Sequence, residues 1–263
     1  MKRTSRISVT SRPALLGTVL LLALTSASVA AADDGPGPFE VTVVAAVNRD
    51  SARVGALFDA DRVGKLAGGH FCTASVVHSA HRDLVVTAAH CVDGDDGGDG
   101  GGLVFVPGYR DGKAPYGVWK VTRRFLPEGW SKGQDEDSDV AFAVVEGLGG
   151  EQGKAIEDVV GANRFATRTA TGATAVTVTG YPNSQETPIV CTNKPGVHSA
   201  TQQRISCPGF TGGTSGSPWV NGDHEVVGIL GGHEQGGTTA DTSYSVVLGA
   251  EAAELYGDAA GDP

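Results

Sequence analysis

The stretch GGTSGSPWV, residues 212–220, fits two very different structures. Three glycines, two serines and a proline within nine positions are typical of a surface turn. The same residues also suit a nucleophilic serine, with Ser215 as the candidate, because glycines let backbone amide groups surround a reacting oxygen. Other parts of the chain must distinguish a turn from a reactive centre.

The chain begins with the pattern of a secretory signal peptide. Four basic residues precede an apolar run at 14–24, which passes into small residues by position 31. This run is too short for a membrane anchor, and no later segment is apolar enough to cross a bilayer. We therefore expect residues 1–31 to be a signal peptide, the protein to be secreted and extracellular, and residues 32–53 to be a propeptide, an N-terminal strand or both.

The charge of the chain excludes polyanions as natural partners. Lys and Arg total 20 against 30 Asp and Glu, a net charge of −10. Loss of the leader removes four cations and no acid, which brings the charge to about −14. A strongly negative protein is repelled by nucleic acid and by anionic membranes, so we expect neither as a partner, and we expect a monomer.

Four cysteines in an exported chain predict two disulfides. Of the three possible pairings, the local one costs the least loop entropy to close, and it joins Cys72 to Cys91 and Cys191 to Cys207. Four free buried thiols are the alternative.

Short β-branched runs broken by Gly, Asp and Pro fill the chain from Val54 onward. Such runs, with frequent turns, predict an all-β barrel or sandwich. Only residues 248–256 show a helical pattern. A stretch rich in glycine and charge at 147–154 marks the predicted boundary between the halves 54–150 and 151–263. The predicted strands are 53–58, 71–77, 84–88, 103–106, 118–121, 140–145, 175–180, 225–230 and 243–248.

Neither a metal nor a cofactor is expected. The acidic segment DGDDGGDGGG at 93–102 has the composition of a calcium loop, but Val104 stands where an EF-hand needs its glutamate. We expect a plain acidic loop there, with calcium as the alternative. His70, His78, His81 and His90 occur without an H-E-x-x-H motif, so zinc catalysis is not expected.

Two further motifs accompany the glycine-rich stretch. TAAHC ends a strand with His90 beside a cysteine, and DSDVAFAVV places Asp139 directly before an apolar strand. Together with GTSGSP, they resemble the chymotrypsin-like serine proteases, in which such motifs occur in the order His, Asp, Ser. The resemblance covers about 54–248. It implies an all-β fold of two antiparallel Greek-key β-barrels with a short C-terminal helix, the first barrel carrying His90 and Asp139 and the second Ser215.

The resemblance gives these residues roles in peptide-bond hydrolysis. A serine hydroxyl is a weak nucleophile, so a neutral His90 would accept the proton of Ser215 as its oxygen attacks the carbonyl. A buried carboxylate would stabilise the imidazolium. Asp139 is the expected acid because it directly precedes the buried strand, and Asp135 and Asp137 are the alternatives.

The glycines of the stretch at 212–220 then have a purpose. The tetrahedral intermediate carries a negative oxygen, which the resemblance places against the backbone N–H groups of Gly213 and Ser215. Gly213 can adopt the positive φ that aims its amide into such an oxyanion hole. We expect Ser215 to be the nucleophile, with Ser217 as the alternative.

Some positions depart from the trypsin branch of the family. Thr214 replaces the aspartate that receives the new N-terminal ammonium there, so this activation switch is not expected. The chain is more similar to secreted bacterial relatives such as the glutamyl endopeptidase-like group, which share SGSP at 215–218. The substrate-reading histidine of that group corresponds to Leu230, so glutamate specificity is not expected, and His233 is the histidine expected near the pocket.

Backbone and acidic groups complete the expected substrate site. Gly209 stands where trypsin-like members carry the pocket aspartate. Asp241 would supply a negative wall from the other side, which leaves a preference for basic residues open. Gly231, Gly232 and His233 would form the edge with which the substrate backbone pairs as an added strand.

Other classes of protein fit less well. An α/β-hydrolase needs G-x-S-x-G and the order Ser, Asp, His, whereas residue 217 is serine. A secreted binding module on an inactive protease-like fold is the serious alternative, because a fold alone does not establish chemistry. All three triad residues are present, so we expect a secreted serine endopeptidase that cleaves polypeptides through an acyl-enzyme and needs no cofactor.

Overall fold

The computed structural model describes residues 39–94 and 102–261. The predicted signal peptide at 1–31 and most of the acidic loop at 93–102 lie outside these residues. The described chain is mostly β, as predicted. Its strands are β1 Thr42–Val44, β2 Val54–Asp59, β3 His70–Val77, β4 Leu84–Thr87, β5 Leu103–Pro107, β6 Trp119–Phe125, β7 Ala141–Gly147, β8 Arg164–Phe165, β9 Val176–Gly180, β10 Ile189–Asn193, β11 Gly196–Val197, β12 Gln202–Ser206, β13 Pro218–Asn221, β14 Glu225–Ile229 and β15 Thr242–Val246.

Strands β2 to β7 close into a barrel in the order β2-β3-β4-β7-β6-β5. All of its strand pairs are antiparallel. Strand β3, HFCTASVV, is almost wholly buried because its two faces have different neighbours. Ala74 and Val76 lie in the barrel core, whereas the hydroxyl groups of Thr73 and Ser75 bond to the second half of the chain.

The second half contributes two sheets. One has the order β1-β10-β9-β13-β14-β8, antiparallel except for the last pair, and the other has the order β11-β12-β15. A hydrogen bond of 3.0 Å from Gly231 N to Tyr244 O joins them. Val178, Ile205 and Trp219 belong to one apolar cluster between the sheets. Because β1 lies at the edge of the larger sheet, part of the stretch 32–53 is an N-terminal strand.

The predicted C-terminal helix is observed as α4, which together with three shorter helices completes the fold. Tyr256 of α4 packs on Phe142 of β7, with ring centroids 5.5 Å apart, so the end of the chain returns to the first barrel. The short helices gave no sequence signal because four to six residues are too few to show a helical period. The helices are α1 Arg49–Ala52, α2 Glu128–Gly133, α3 Ile156–Val160 and α4 Ala250–Gly261.

Covalent cross-links hold each half. Cys72 is bonded to Cys91 and Cys191 to Cys207, which confirms the local pairing. In the described ranges, no helix has the length and apolar character needed to cross a membrane.

Candidate active site

His90 and Asp139 meet at one end of the first barrel. Strand β4 ends at Thr87, and the 3-10 turn Ala89–Cys91 follows. His90 therefore lies just beyond the end of a buried strand of the barrel. Asp139 immediately precedes the buried start of β7. Because Thr87 of β4 pairs with Ala141 of β7, the ladder between these strands brings the histidine and the aspartate together.

The Asp139 carboxylate is completely buried and accepts three hydrogen bonds. Its Oδ2 lies 2.8 Å from His90 Nδ1 and accepts from Gly232 N, also at 2.8 Å, while Oδ1 accepts from His90 N at 3.0 Å. A carboxylate facing Nδ1 holds the proton on that nitrogen and leaves Nε2 as the acceptor. The pair can therefore act as a general base.

The two alternative aspartates have other partners. Asp135 accepts from Asp137 N at 3.0 Å, and Asp137 accepts from Gln202 Nε2 at 2.8 Å. Of the three aspartates in this run, Asp139 is the one hydrogen-bonded to His90.

Ser215 lies in a turn that is anchored to the first barrel through Thr73. Thr73 N donates to Ser215 O at 2.8 Å, and Thr73 Oγ1 donates to Gly213 O at 3.0 Å. The residue before Thr73 is Cys72, whose disulfide partner Cys91 directly follows His90. One strand and one cross-link thus connect the serine turn to the histidine turn.

This turn leaves two amide groups without an acceptor. In residues 213–217, three N–H groups donate to carbonyl oxygens, whereas those of Gly213 and Ser215 have no acceptor within 39–94 and 102–261. Gly213 has φ +95°, and a Cβ there would lie 2.5 Å from the Tyr181 carbonyl oxygen, so only glycine fits. Two unpaired donors beside a serine can bind an anionic oxygen.

Ser217 is unsuited to be the nucleophile. It is fully buried and its hydroxyl donates to the Thr214 carbonyl at 2.6 Å. Thr214, also buried, donates its own hydroxyl to Thr211 O at 2.7 Å. Ser215 is half-buried, and its hydroxyl has no hydrogen-bond partner in the described part of the chain.

The edge Gly231–His233 lies beside Asp139, and its three N–H groups already donate hydrogen bonds within the protein. Gly231 N donates to Tyr244 O, Gly232 N to Asp139, and His233 N to Gln202 Oε1 at 3.3 Å. The Gly231 carbonyl accepts no hydrogen bond from described residues. This carbonyl, rather than the amides, is the group available to a substrate backbone.

Gln202 was not among the residues predicted for the site. Its buried amide donates to Glu136 O at 2.9 Å and to Asp137 Oδ1 at 2.8 Å while its oxygen accepts from His233 N. Gln202 therefore connects the turn before Asp139 to the edge Gly231–His233 through hydrogen bonds. Its strand, QQRIS, is too polar to be recognised as buried, so no sequence signal pointed to it.

The other predicted pocket residues have contacts of their own. The His233 ring packs on His198 and Tyr244, with centroids 4.7 and 4.9 Å away. Gly209 and Asp241 are on neighbouring segments, because the backbone two residues before Gly209 donates to the Asp241 carbonyl at 3.0 Å. The Asp241 side chain is exposed.

One group of potential metal ligands occurs in the described ranges. Side-chain atoms of Cys72, His90 and Cys91 lie within 4.8 Å of one another. Both sulfurs belong to a disulfide, so neither offers the thiolate that a metal would need.

Proteases are among the known proteins similar to this chain. A family model described as a trypsin-like peptidase domain matches residues 72–229. A glutamyl endopeptidase from Bacillus licheniformis is 32% identical over 103 residues, which are 38% of this chain and 30% of that protein. The match therefore spans less than a third of the length of that relative.

Solved structures show the same fold. The protease Anisep from Arthrobacter nicotinovorans has a TM-score of 0.68 and 27% identity, covering 84% of this chain and 99% of its own. A thermostable serine protease, AL20, from an extremophilic microorganism has a TM-score of 0.66 and 29% identity, covering 81% and 99%. A Glu endopeptidase has a TM-score of 0.64 at 16% identity, covering 85% and 98%, and is similar in fold alone.

Proposed function

Because this chain belongs to the family of trypsin-like peptidase domains, we propose that it is a serine endopeptidase with Ser215 as nucleophile, His90 as base and Asp139 as acid partner. The observation that carries the proposal is the buried Asp139 carboxylate, 2.8 Å from His90 Nδ1. Burial of a carboxylate is costly unless it is hydrogen-bonded, and this one is bonded to the only histidine in the TAAHC motif.

The reaction follows from these groups. Nε2 of His90 takes the hydroxyl proton while the Ser215 oxygen attacks the scissile carbonyl. The amine leaves with that proton, and the acyl group stays on the serine as an ester. Water then attacks the ester, again with His90 as base, and releases the acid.

The oxyanion of each tetrahedral intermediate would bind the amides of Gly213 and Ser215. Their lack of any acceptor in the described residues supports this assignment, because the other N–H groups of the turn are paired. Donors that are already fixed in place cost no reorganisation when negative charge develops.

The substrates are polypeptides of the extracellular medium. Two disulfides support an oxidising location. Position 230, where the glutamate-specific relatives carry their substrate-reading histidine, holds Leu230, which is buried in the apolar cluster of the second half. This supports a specificity other than glutamate.

Fluorophosphonate labelling followed by peptide mapping tests the nucleophile. The expected result is a single adduct on Ser215 and a fall in turnover on the order of 10⁶-fold in Ser215→Ala. Ser131→Ala, which removes a hydroxyl from an exposed residue of α2, is the matched control. This variant should keep both the adduct on Ser215 and the wild-type turnover. A chain that remains unlabelled, or that hydrolyses peptides equally well as S215A, would be an inactive binding module or a different hydrolase.

A further inference from the structure

A cavity of about 210 Å³ lies between the N-terminal segment and the turn that follows β5. Its walls are largely apolar and include Val47, Pro115, Tyr116, Tyr181 and Pro188. An apolar cavity of about 150 Å³ is large enough to hold benzene, so this one has room for a substituted ring.

Cations outnumber acids on the cavity wall. Arg110 and Lys113 line it together with Asp111. One N–H of Arg110 donates to Ala45 O at 2.6 Å, and its other guanidinium N–H groups have no acceptor in the described residues. The pKa of the Tyr181 hydroxyl is raised, chiefly by burial, and the Arg110 charge opposes part of this rise.

Tyr181 connects this cavity to the serine turn. Tyr181 is one of the residues that line the cavity, and its backbone N donates to Thr73 Oγ1 at 3.0 Å. The same Thr73 hydroxyl donates to Gly213 O, and the Tyr181 carbonyl packs directly against Gly213. A molecule that fills the cavity therefore presses on a residue that supports the unpaired Gly213 amide.

From the volume, the apolar walls and the excess of cations, we propose that this cavity is a regulatory site for a compact aromatic carboxylate. The ring would contact the apolar walls, and the carboxylate would accept from Arg110 and face Lys113. Occupancy would restrain Tyr181 and thereby alter kcat.

Binding is tested by thermal unfolding of the full chain with benzoate and with benzyl alcohol, its neutral counterpart. Benzoate should raise Tm saturably, by about 5 °C or more at 100 times its Kd. Benzyl alcohol should bind about tenfold more weakly, because it lacks the charge-assisted bonds. No saturable rise with benzoate, or equal Kd values for the two probes, would overturn the proposal.

Variants locate the site. Val47→Trp should cover the cavity and abolish the benzoate shift, whereas Val63→Trp, at another exposed valine that does not line the cavity, should leave it unchanged. Lys113→Met should weaken benzoate several-fold without affecting benzyl alcohol, and Lys65→Met is its control. Persistence of the full shift in V47W would place the binding elsewhere and refute the assignment.

Kinetics test the coupling separately from the proposed activity. Benzoate should change kcat for a peptide substrate in the wild-type protein and in V63W but not in V47W. A pure rise in KM would mean binding in the substrate pocket instead, and an unchanged kcat with a full thermal shift would refute the coupling. The thermal-unfolding measurement does not depend on proteolysis, so it tests binding in the cavity even if no peptide is cleaved.

Discussion

Asp139 combines complete burial with three hydrogen bonds, two of them to His90. The Asp139 side chain therefore has two roles. It fixes the position of the histidine backbone, and it selects the tautomer that leaves Nε2 free to accept a proton.

Asp139→Asn should keep the fold and lose activity. An amide can replace most of the hydrogen bonds but favours the wrong imidazole tautomer, so we expect kcat to fall on the order of 10⁴-fold at neutral pH. Steady-state kinetics with circular dichroism checks this. Asp137→Asn, whose partner is Gln202, is the control and should retain most activity, and equal losses in the two variants would remove the special role of Asp139.

Gly213→Ala should damage the oxyanion site. A Cβ at this residue would meet the Tyr181 carbonyl at 2.5 Å and would be strained at φ +95°. The amide would move, and loss of one donor lowers kcat by about 10²–10³-fold. Gly212→Ala is the control, because the nearest atom to its Cβ would be Asn183 Nδ2 at 3.7 Å. Similar kcat values for G213A and the wild type would argue against this oxyanion hole.

Strand β3 and the disulfide at its start form the element that joins the two turns of the site. Cys72 bonds to the cysteine that follows His90, while the next residue, Thr73, bonds to Ser215 and Gly213. Strand β3 therefore connects the turn that carries His90 to the turn that carries Ser215.

Replacing Cys72 and Cys91 by alanine should cost about 3 kcal/mol of unfolding free energy in the chain-entropy model and should also lower kcat. Urea unfolding and kinetics on the folded fraction measure both. Replacing Cys191 and Cys207, a cross-link of similar sequence separation (16 against 19), should cost a similar free energy but reduce kcat less. Identical kcat losses would show that the first disulfide has no particular influence on His90.

The two halves of the molecule contribute different parts of the site. The first barrel carries His90 and Asp139, and the second half carries the serine turn and Gly232, whose N–H donates to Asp139. Thr214 is buried and its hydroxyl donates within its own turn, so this position offers no carboxylate to an N-terminal ammonium.

The pH dependence of the whole enzyme should follow from this arrangement. Protonated His90 cannot accept the serine proton, so kcat/KM should be low in acid and rise as the solution becomes neutral. A plateau should follow in mildly alkaline solution, because Thr214 offers no carboxylate that would depend on a protonated N-terminal ammonium. A profile from pH 4.5 to 9.5 measures this, and a flat curve would mean that His90 is not the base.

Local chemistry was enough to identify much of this protein. Nine strands were recognisable because β-branched runs alternate with Gly, Asp and Pro, and β3 and β7 are buried almost throughout. Both disulfides followed from the entropy of closing short loops. His90, Asp139 and Ser215 were recognisable from their motifs because each lies beside a strand end or a glycine turn.

Other features depend on contacts between distant segments. Strands β10, β12 and β13 contain Thr, Asn, Gln or Ser, and only the packed sheets bury those side chains. The burial of Asp139 and the link through Gln202 arise where β7, β12 and the edge at 231–233 converge. Two more features have no signature in the sequence: the cavity beside Tyr181, and the Gly213 and Ser215 amides that find no acceptor in the described residues. Both depend on the space that distant segments leave open when they pack.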